Sequence, residues 1–96
     1  MIHSLVVDDD PALRESLRIY LERDGYSVRT AADGLEGFAL FQELKPQFVL
    51  LDLQLPKMDG FEVLRKIKKS SIRTQVIIIT AHDGIDTTIR VIKDGA

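Results

Sequence analysis

With 96 residues the chain has room for one domain and one modest hydrophobic core. A net charge of −2 excludes wholesale electrostatic binding to nucleic acid or an anionic membrane, and the lack of cysteine excludes disulfides and thiolate metal sites. No apolar run is long enough to span a bilayer, and Met1-Ile2-His3 lacks the charged start and apolar core of a signal peptide, so the chain reads as cytoplasmic, without membrane contact.

Ile2 to Val7 is apolar and β-branched, a first strand that stops at Asp8-Asp9-Asp10-Pro11. Asp10 before Pro11 fits an N-cap with proline in the first helical position. Leu13, Leu17, Tyr20 and Leu21 then share one face of a helix that Asp24-Gly25 ends. Tyr26 to Ala31 alternates and is rich in β-formers, which predicts a second strand half exposed at a sheet edge. Asp33-Gly34 turns the chain, and Leu35, Phe38, Ala39 and Phe41 predict a second helix that ends before Pro46.

Phe48 to Leu51 is a short, unbroken apolar run, the pattern of a parallel strand buried on both faces. It ends in a carboxylate, Asp52, and a loop with Pro56 and the turn signal Asp59-Gly60. Phe61, Leu64 and Ile67 predict a third helix, with Arg65, Lys66, Lys68 and Lys69 on its wet side and at its C-terminal end, where cations suit the dipole. Val76 to Ile79 is a second wholly apolar strand, ending in Thr80-Ala81-His82-Asp83-Gly84. Ile85, Ile89 and Ile92 sketch a fourth helix, weakened by β-branched Thr87, Thr88 and Val91, with Asp94-Gly95-Ala96 as its stop signal. Four βα units in a row imply an α/β fold: a parallel sheet with right-handed crossovers and helices on both faces.

In a parallel sheet all strands end on one rim. The first strand would deliver Asp8 and Asp9 there, the third Asp52 and the fourth Thr80. Like charges at close range raise one another's pKa. A hard cation with oxygen ligands relieves them, and Mg²⁺ suits a few carboxylates, a backbone carbonyl and waters. A carboxylate can also act as a nucleophile and form an acyl phosphate, with Thr80 donating to a phosphoryl oxygen. Taken singly, these residues have ordinary readings: Asp8, Asp9 and Asp10 as solvated acids at a helix N-terminus, Asp52 as a strand's exit into solvent, Thr80 as a backbone-satisfied strand end. The joint occurrence favours the site. Lys57, His3 and His82 read as surface residues, and the basic run from Arg65 to Lys69 as a wet helix face.

Along its whole length the chain resembles the receiver domain of two-component response regulators. The matching motifs are Leu5-Val6-Val7-Asp8-Asp9-Asp10-Pro11, Leu50-Leu51-Asp52-Leu53-Gln54-Leu55-Pro56-Lys57-Met58-Asp59-Gly60, Ile78-Ile79-Thr80-Ala81 and Asp94-Gly95-Ala96. The resemblance implies a flavodoxin-like (CheY-like) three-layer αβα fold with sheet order 2-1-3-4. It implies Asp52 as the phosphoacceptor, charged by a sensor histidine kinase or a small phosphodonor. It implies Mg²⁺ held by Asp8, Asp9, Asp52 and the backbone carbonyl of Gln54. Thr80 would be the switch hydroxyl, and the Ala81 amide would hold the phosphoryl group. Thr80 to Ala96 looks most like receivers that precede a sigma-54-type (NtrC-like) activator, which implies an output domain and a role in transcription.

Receivers of this family continue into a fifth βα unit that carries a lysine for the phosphoryl group and an aromatic switch residue. Residues 1–96 therefore read as a single receiver domain, C-terminally incomplete, with phosphotransfer expected to be impaired. Val76 to Ile79 would then be an open edge for a second copy, by itself or through a rearranged fourth helix. Three competing readings remain. A haloacid-dehalogenase-type phosphohydrolase needs a second acid where Gln54 stands. A nucleotide-binding Rossmann module needs a glycine-rich loop after the first strand, which is lacking. A docking or dimerising module without phosphate turnover needs only the fold.

Overall fold

Three largely apolar runs and one alternating run, the second in order, become the strands β1 (His3–Val7), β2 (Ser27–Ala31), β3 (Phe48–Asp52) and β4 (Gln75–His82). The amphipathic stretches between them become α1 (Pro11–Arg23), α2 (Gly34–Leu44) and α3 (Gly60–Ser70). The structure, a computed structural model, describes residues 2–71, 73–82 and 86–92, with side chains as far as Ile79. The four strands are parallel neighbours in the order β2-β1-β3-β4, as expected for this α/β architecture.

Strand alternation sorts the core into two layers. Leu5, Val7, Val49, Leu51, Val76 and Ile78 face α2 and α3, where they meet Phe41, Val63 and Ile67. Val6, Val28, Leu50 and Ile79 face α1, where they meet Leu13, Leu17 and Leu21. Helices thus cover both faces, and β3 has a buried neighbour on each side. β2 lies at the edge, with Arg29 exposed.

The helices present partly different residues to the sheet than their hydropathy predicts. Tyr20 is 68% exposed, and Leu35 and Phe61 are also exposed. α2 instead buries Gly34, Gly37 and Phe41, and α3 buries Gly60, Val63 and Ile67. Each set follows an i, i+3, i+7 stripe with glycine on it. A Cβ at Gly37 would lie 2.8 Å from Val7 Cγ1, so the bare backbone lets α2 settle closer to β1 than a side chain would.

The fourth βα unit does not form. Asp86–Ile92 is a strand, β5, antiparallel to β4 in a register running from Val76 opposite Ile92 to His82 opposite Asp86. Two forces oppose the helical spacing of Ile85, Ile89 and Ile92. Thr87, Thr88, Ile89, Val91 and Ile92 are all β-branched and suit a pleated surface. The edge of β4 also presents backbone donors and acceptors that need partners. The expected open edge at Val76–Ile79 is therefore covered by the chain's own β5, and residues 86–92 of the expected fourth helix are that strand. The stop signal Asp94-Gly95-Ala96 lies outside the described residues.

Each helix starts on an aspartate cap. Asp10 Oδ1 accepts from the amides of Ala12, at 3.0 Å, and Leu13, at 3.4 Å. Asp33 Oδ1 accepts from the Glu36 amide and Asp59 Oδ1 from the Phe61 amide. The two Asp-Gly turn signals are thus helix starts, with the glycine as first helical residue. Asp10→Ala should lower stability by about 1 kcal/mol, read from the shift in the urea midpoint, because two orphan amides lose their acceptor.

Candidate functional site

The parallel strands bring the sequence-predicted acids to one rim. β1 ends at Val7, opposite Ala31 on one side and Leu51 on the other, so Asp8 and Asp9 leave the sheet beside Asp52. Asp8, Asp9 and Asp52 each offer a carboxylate oxygen, and these oxygens all lie within 4.8 Å of one another. Asp8 is buried at 2% exposure, Asp52 is half-buried and Asp9 is exposed. The trio is graded from core to solvent, with an accessible side for a ligand.

Local hydrogen bonds fix the two buried members. Asp8 Oδ1 accepts the Asp10 amide at 2.8 Å, and the Asp8 carbonyl accepts Arg14 Nη1 at 2.8 Å. Arg14 therefore braces the strand end from α1, a contact that hydropathy alone does not reveal. Asp52 Oδ1 accepts the Gln54 amide at 3.1 Å, which keeps the Gln54 backbone beside the cluster. Gln54 is exposed.

Burial, and crowding after it, hold these carboxyls above the ordinary range. Burial first, with the negative charges of Asp52, Asp9 and Asp10 adding to it and the Asp10 amide opposing, pushes the Asp8 carboxyl up to about 6. Burial also raises Asp52; the Gln54 and Leu53 amides oppose this and Asp9 adds to it. Three oxygen donors held together against their own repulsion fit a small hard cation, which would replace that repulsion with attraction. The donor set, carboxylates without nitrogen or sulfur, suits Mg²⁺ rather than Zn²⁺.

Thr80 and Ala81 lie on β4 just past Ile79, the residue opposite Asp52, so their backbone reaches the same rim. They pair with Thr88 and Thr87 of β5. The Thr80 hydroxyl and the His82 ring lie outside the described side chains. His3 is exposed, as expected. Arg65, Lys66 and Lys69 are exposed too; Lys66 lies 5.4 Å over the Phe38 ring, and Lys68 Nζ donates to the Thr74 carbonyl. Lys57 is solvated as expected, but its Nζ also lies 3.5 Å from Asp33 Oδ2.

A cavity of about 900 Å³ opens at the other end of the strands, between Tyr26, Phe41, Phe48, Lys45 and Arg73. Volume is the poorer guide here: the acids gather at the opposite rim, and carboxylates forced together mark chemistry more specifically than space does.

A family profile described as the response regulator receiver domain matches residues 4–96. Response regulator MprA of Mycobacterium sp. (strain KMS) is 39% identical over 95 residues, covering 99% of this chain and 41% of the relative. The chain thus spans about two fifths of the length of the curated relatives it matches. Response regulator protein TrrA from Thermotoga maritima, solved in complex with Mg(2+)-BeF, is 36% identical with a TM-score of 0.80, covering 86% of this chain and 72% of that one. NtrX from Brucella abortus, solved in complex with ADP, is 33% identical with a TM-score of 0.80, covering 88% of this chain and 20% of that one.

Proposed function

We propose, from the premise that this chain belongs to the response regulator receiver domain family, that it takes a phosphoryl group onto Asp52 from a phosphohistidine of a sensor histidine kinase or from a small phosphodonor. The observation that carries the reading is the convergence of Asp8, Asp9 and Asp52 within 4.8 Å. Asp8, Asp9, Asp52 and the Gln54 carbonyl would hold Mg²⁺. Bound there, the ion would neutralise charge on the phosphoryl group in flight. The likeness to TrrA, solved with Mg(2+)-BeF, supports this assignment.

The chain's own groups supply the rest. The Gln54 amide anchors Asp52 Oδ1, so the second carboxylate oxygen serves as nucleophile. Its attack forms a P–O bond as the bond from phosphorus to the donor nitrogen or oxygen breaks, and the leaving group takes the bonding pair. Thr80 is assigned the hydroxyl that turns to the phosphoryl oxygens, and Ala81 the amide that holds one of them. The domain signals rather than turning over a substrate for its own sake, although it assists its own phosphorylation and dephosphorylation. Residues 1–96 act as one receiver domain of a longer cytoplasmic regulator, with an output domain elsewhere in that protein and transcription as the readout. None of the helices searched is long and apolar enough to cross a membrane.

The test is incubation with acetyl phosphate or phosphoramidate, with and without Mg²⁺. The expected result is one base-labile phosphoryl group per chain, formed only with the ion and not formed when a chelator is present from the start. Labelling that ignores Mg²⁺ would refute the reading.

A further inference from the structure

We propose that Asp33, Gly34 and Lys57 form a latch that positions the loop after β3, residues 53–59, and through it the Gln54 carbonyl; this deepens the metal-site reading above and rests on it. Lys57 adopts a left-handed backbone (φ 69°), a conformation that only glycine takes without strain. Its ammonium pairs with Asp33 Oδ2 at 3.5 Å, while Asp33 Oδ1 caps α2 at the Glu36 amide, 2.8 Å away. One carboxylate thus ties the start of α2 to the loop after β3.

Next to it, the Gly34 amide donates to the Pro56 carbonyl at 3.4 Å. A Cβ at Gly34 would lie 2.7 Å from Met58 Cβ and 2.8 Å from the Met58 carbonyl carbon, and closer still to the carbonyl oxygen. The loop is seated on bare backbone with no slack. It is also closed on itself: the Met58 amide donates to the Pro56 carbonyl at 2.8 Å and the Gly60 amide to the Leu53 carbonyl at 3.1 Å. Gln54 therefore lies between two anchors. Asp52 holds it upstream, and the Pro56–Met58 segment, seated on Gly34, holds it downstream. None of the three latch residues belongs to the acidic cluster, so they act as positioning residues.

The two halves of the latch differ in strength. Lys57 is 64% exposed and Asp33 16%, so the ion pair is a modest, salt-screened contact. The seat at Gly34 is steric and indifferent to salt. A lysine acting only as a nearby cation would weaken Mg²⁺ binding, and its removal would strengthen it. A latch predicts the opposite sign.

The test is Mg²⁺ affinity by calorimetry, with hydrogen exchange of the Gln54 and Gly60 amides by NMR. Lys57→Met should weaken Mg²⁺ about threefold at low ionic strength, with the difference from wild type closing near about 1 M salt. Lys57→Arg should restore the affinity. Gly34→Ala should weaken Mg²⁺ at least about tenfold at any salt, because the loop must shift. Equal or tighter binding by Lys57→Met, with unchanged Gln54 exchange, would overturn the latch. If the wild-type protein binds no Mg²⁺, the metal reading fails by itself. The amide exchange then decides: faster exchange at Gln54 in Lys57→Met retains the latch, and unchanged exchange removes it. Should Gly34→Ala not fold, the Lys57 variants still decide.

Discussion

Asp52→Asn will lose phosphoryl labelling by at least about a thousandfold while keeping its fold, because it removes the nucleophile and little else. Asparagine is nearly isosteric, and its Oδ1 can still accept the Gln54 amide that Asp52 Oδ1 accepts at 3.1 Å. The loop after β3 therefore keeps its upstream anchor. Asp52 is a half-buried acid whose pKa is raised by burial ahead of every other influence, so losing its charge does not weaken the metal-free fold. Mg²⁺ should bind more weakly but measurably, since Asp8 and Asp9 remain. The check pairs acetyl phosphate labelling, read by intact mass, with a urea titration. Labelling of the variant at the wild-type rate would move the phosphoacceptor to another residue and remove Asp52 from the centre of the mechanism.

The acids were legible in the sequence because their placement depends on topology alone. Once β1 and β3 are parallel neighbours, Asp8 and Asp52 must share a rim, whatever the details of packing. The helix faces were less legible. Hydropathy gives glycine no weight, yet Gly34, Gly37 and Gly60 mark the stripes nearest the sheet, and Leu35 and Phe61 are turned outward in consequence. The segment Asp86–Ile92 carried two signals at once, an isoleucine period for helix and a β-branched composition for strand. The unpaired edge of β4 decides in favour of the strand, a tertiary effect that local pattern cannot weigh. Lys57 read as solvated, which is correct for exposure but hid its partner, because Asp33 arrives from a different βα unit.

The second large effect is thermodynamic and has the opposite sign to most changes at a functional site. Asp8 is 2% exposed, and its carboxyl is moved from 3.8 to about 6, first by burial. A folded-state pKa above the unfolded value means that the contribution to stability is full below about pH 4, falls as pH rises, and is lost above about pH 6. At neutral pH the metal-free fold therefore carries about 3 kcal/mol of unrelieved cost at this residue. Asp8→Asn removes the ionisable group and leaves an oxygen to accept the Asp10 amide. It should stabilise the metal-free protein at pH 7.5 by about 2 to 3 kcal/mol, less whatever the new amide donors fail to pair. The gain should shrink toward zero by about pH 4. Saturating Mg²⁺ should raise the urea midpoint of the wild type more than the variant's, which keeps only Asp9 and Asp52 for the ion, because an ion that binds only the folded state stabilises by mass action. Urea titrations at pH 4.5 and 7.5, with chelator or with Mg²⁺, give the comparison. Parallel pH profiles for the two proteins would mean that Asp8 carries no such burden, and the cluster would lose the strain that makes it a cation site.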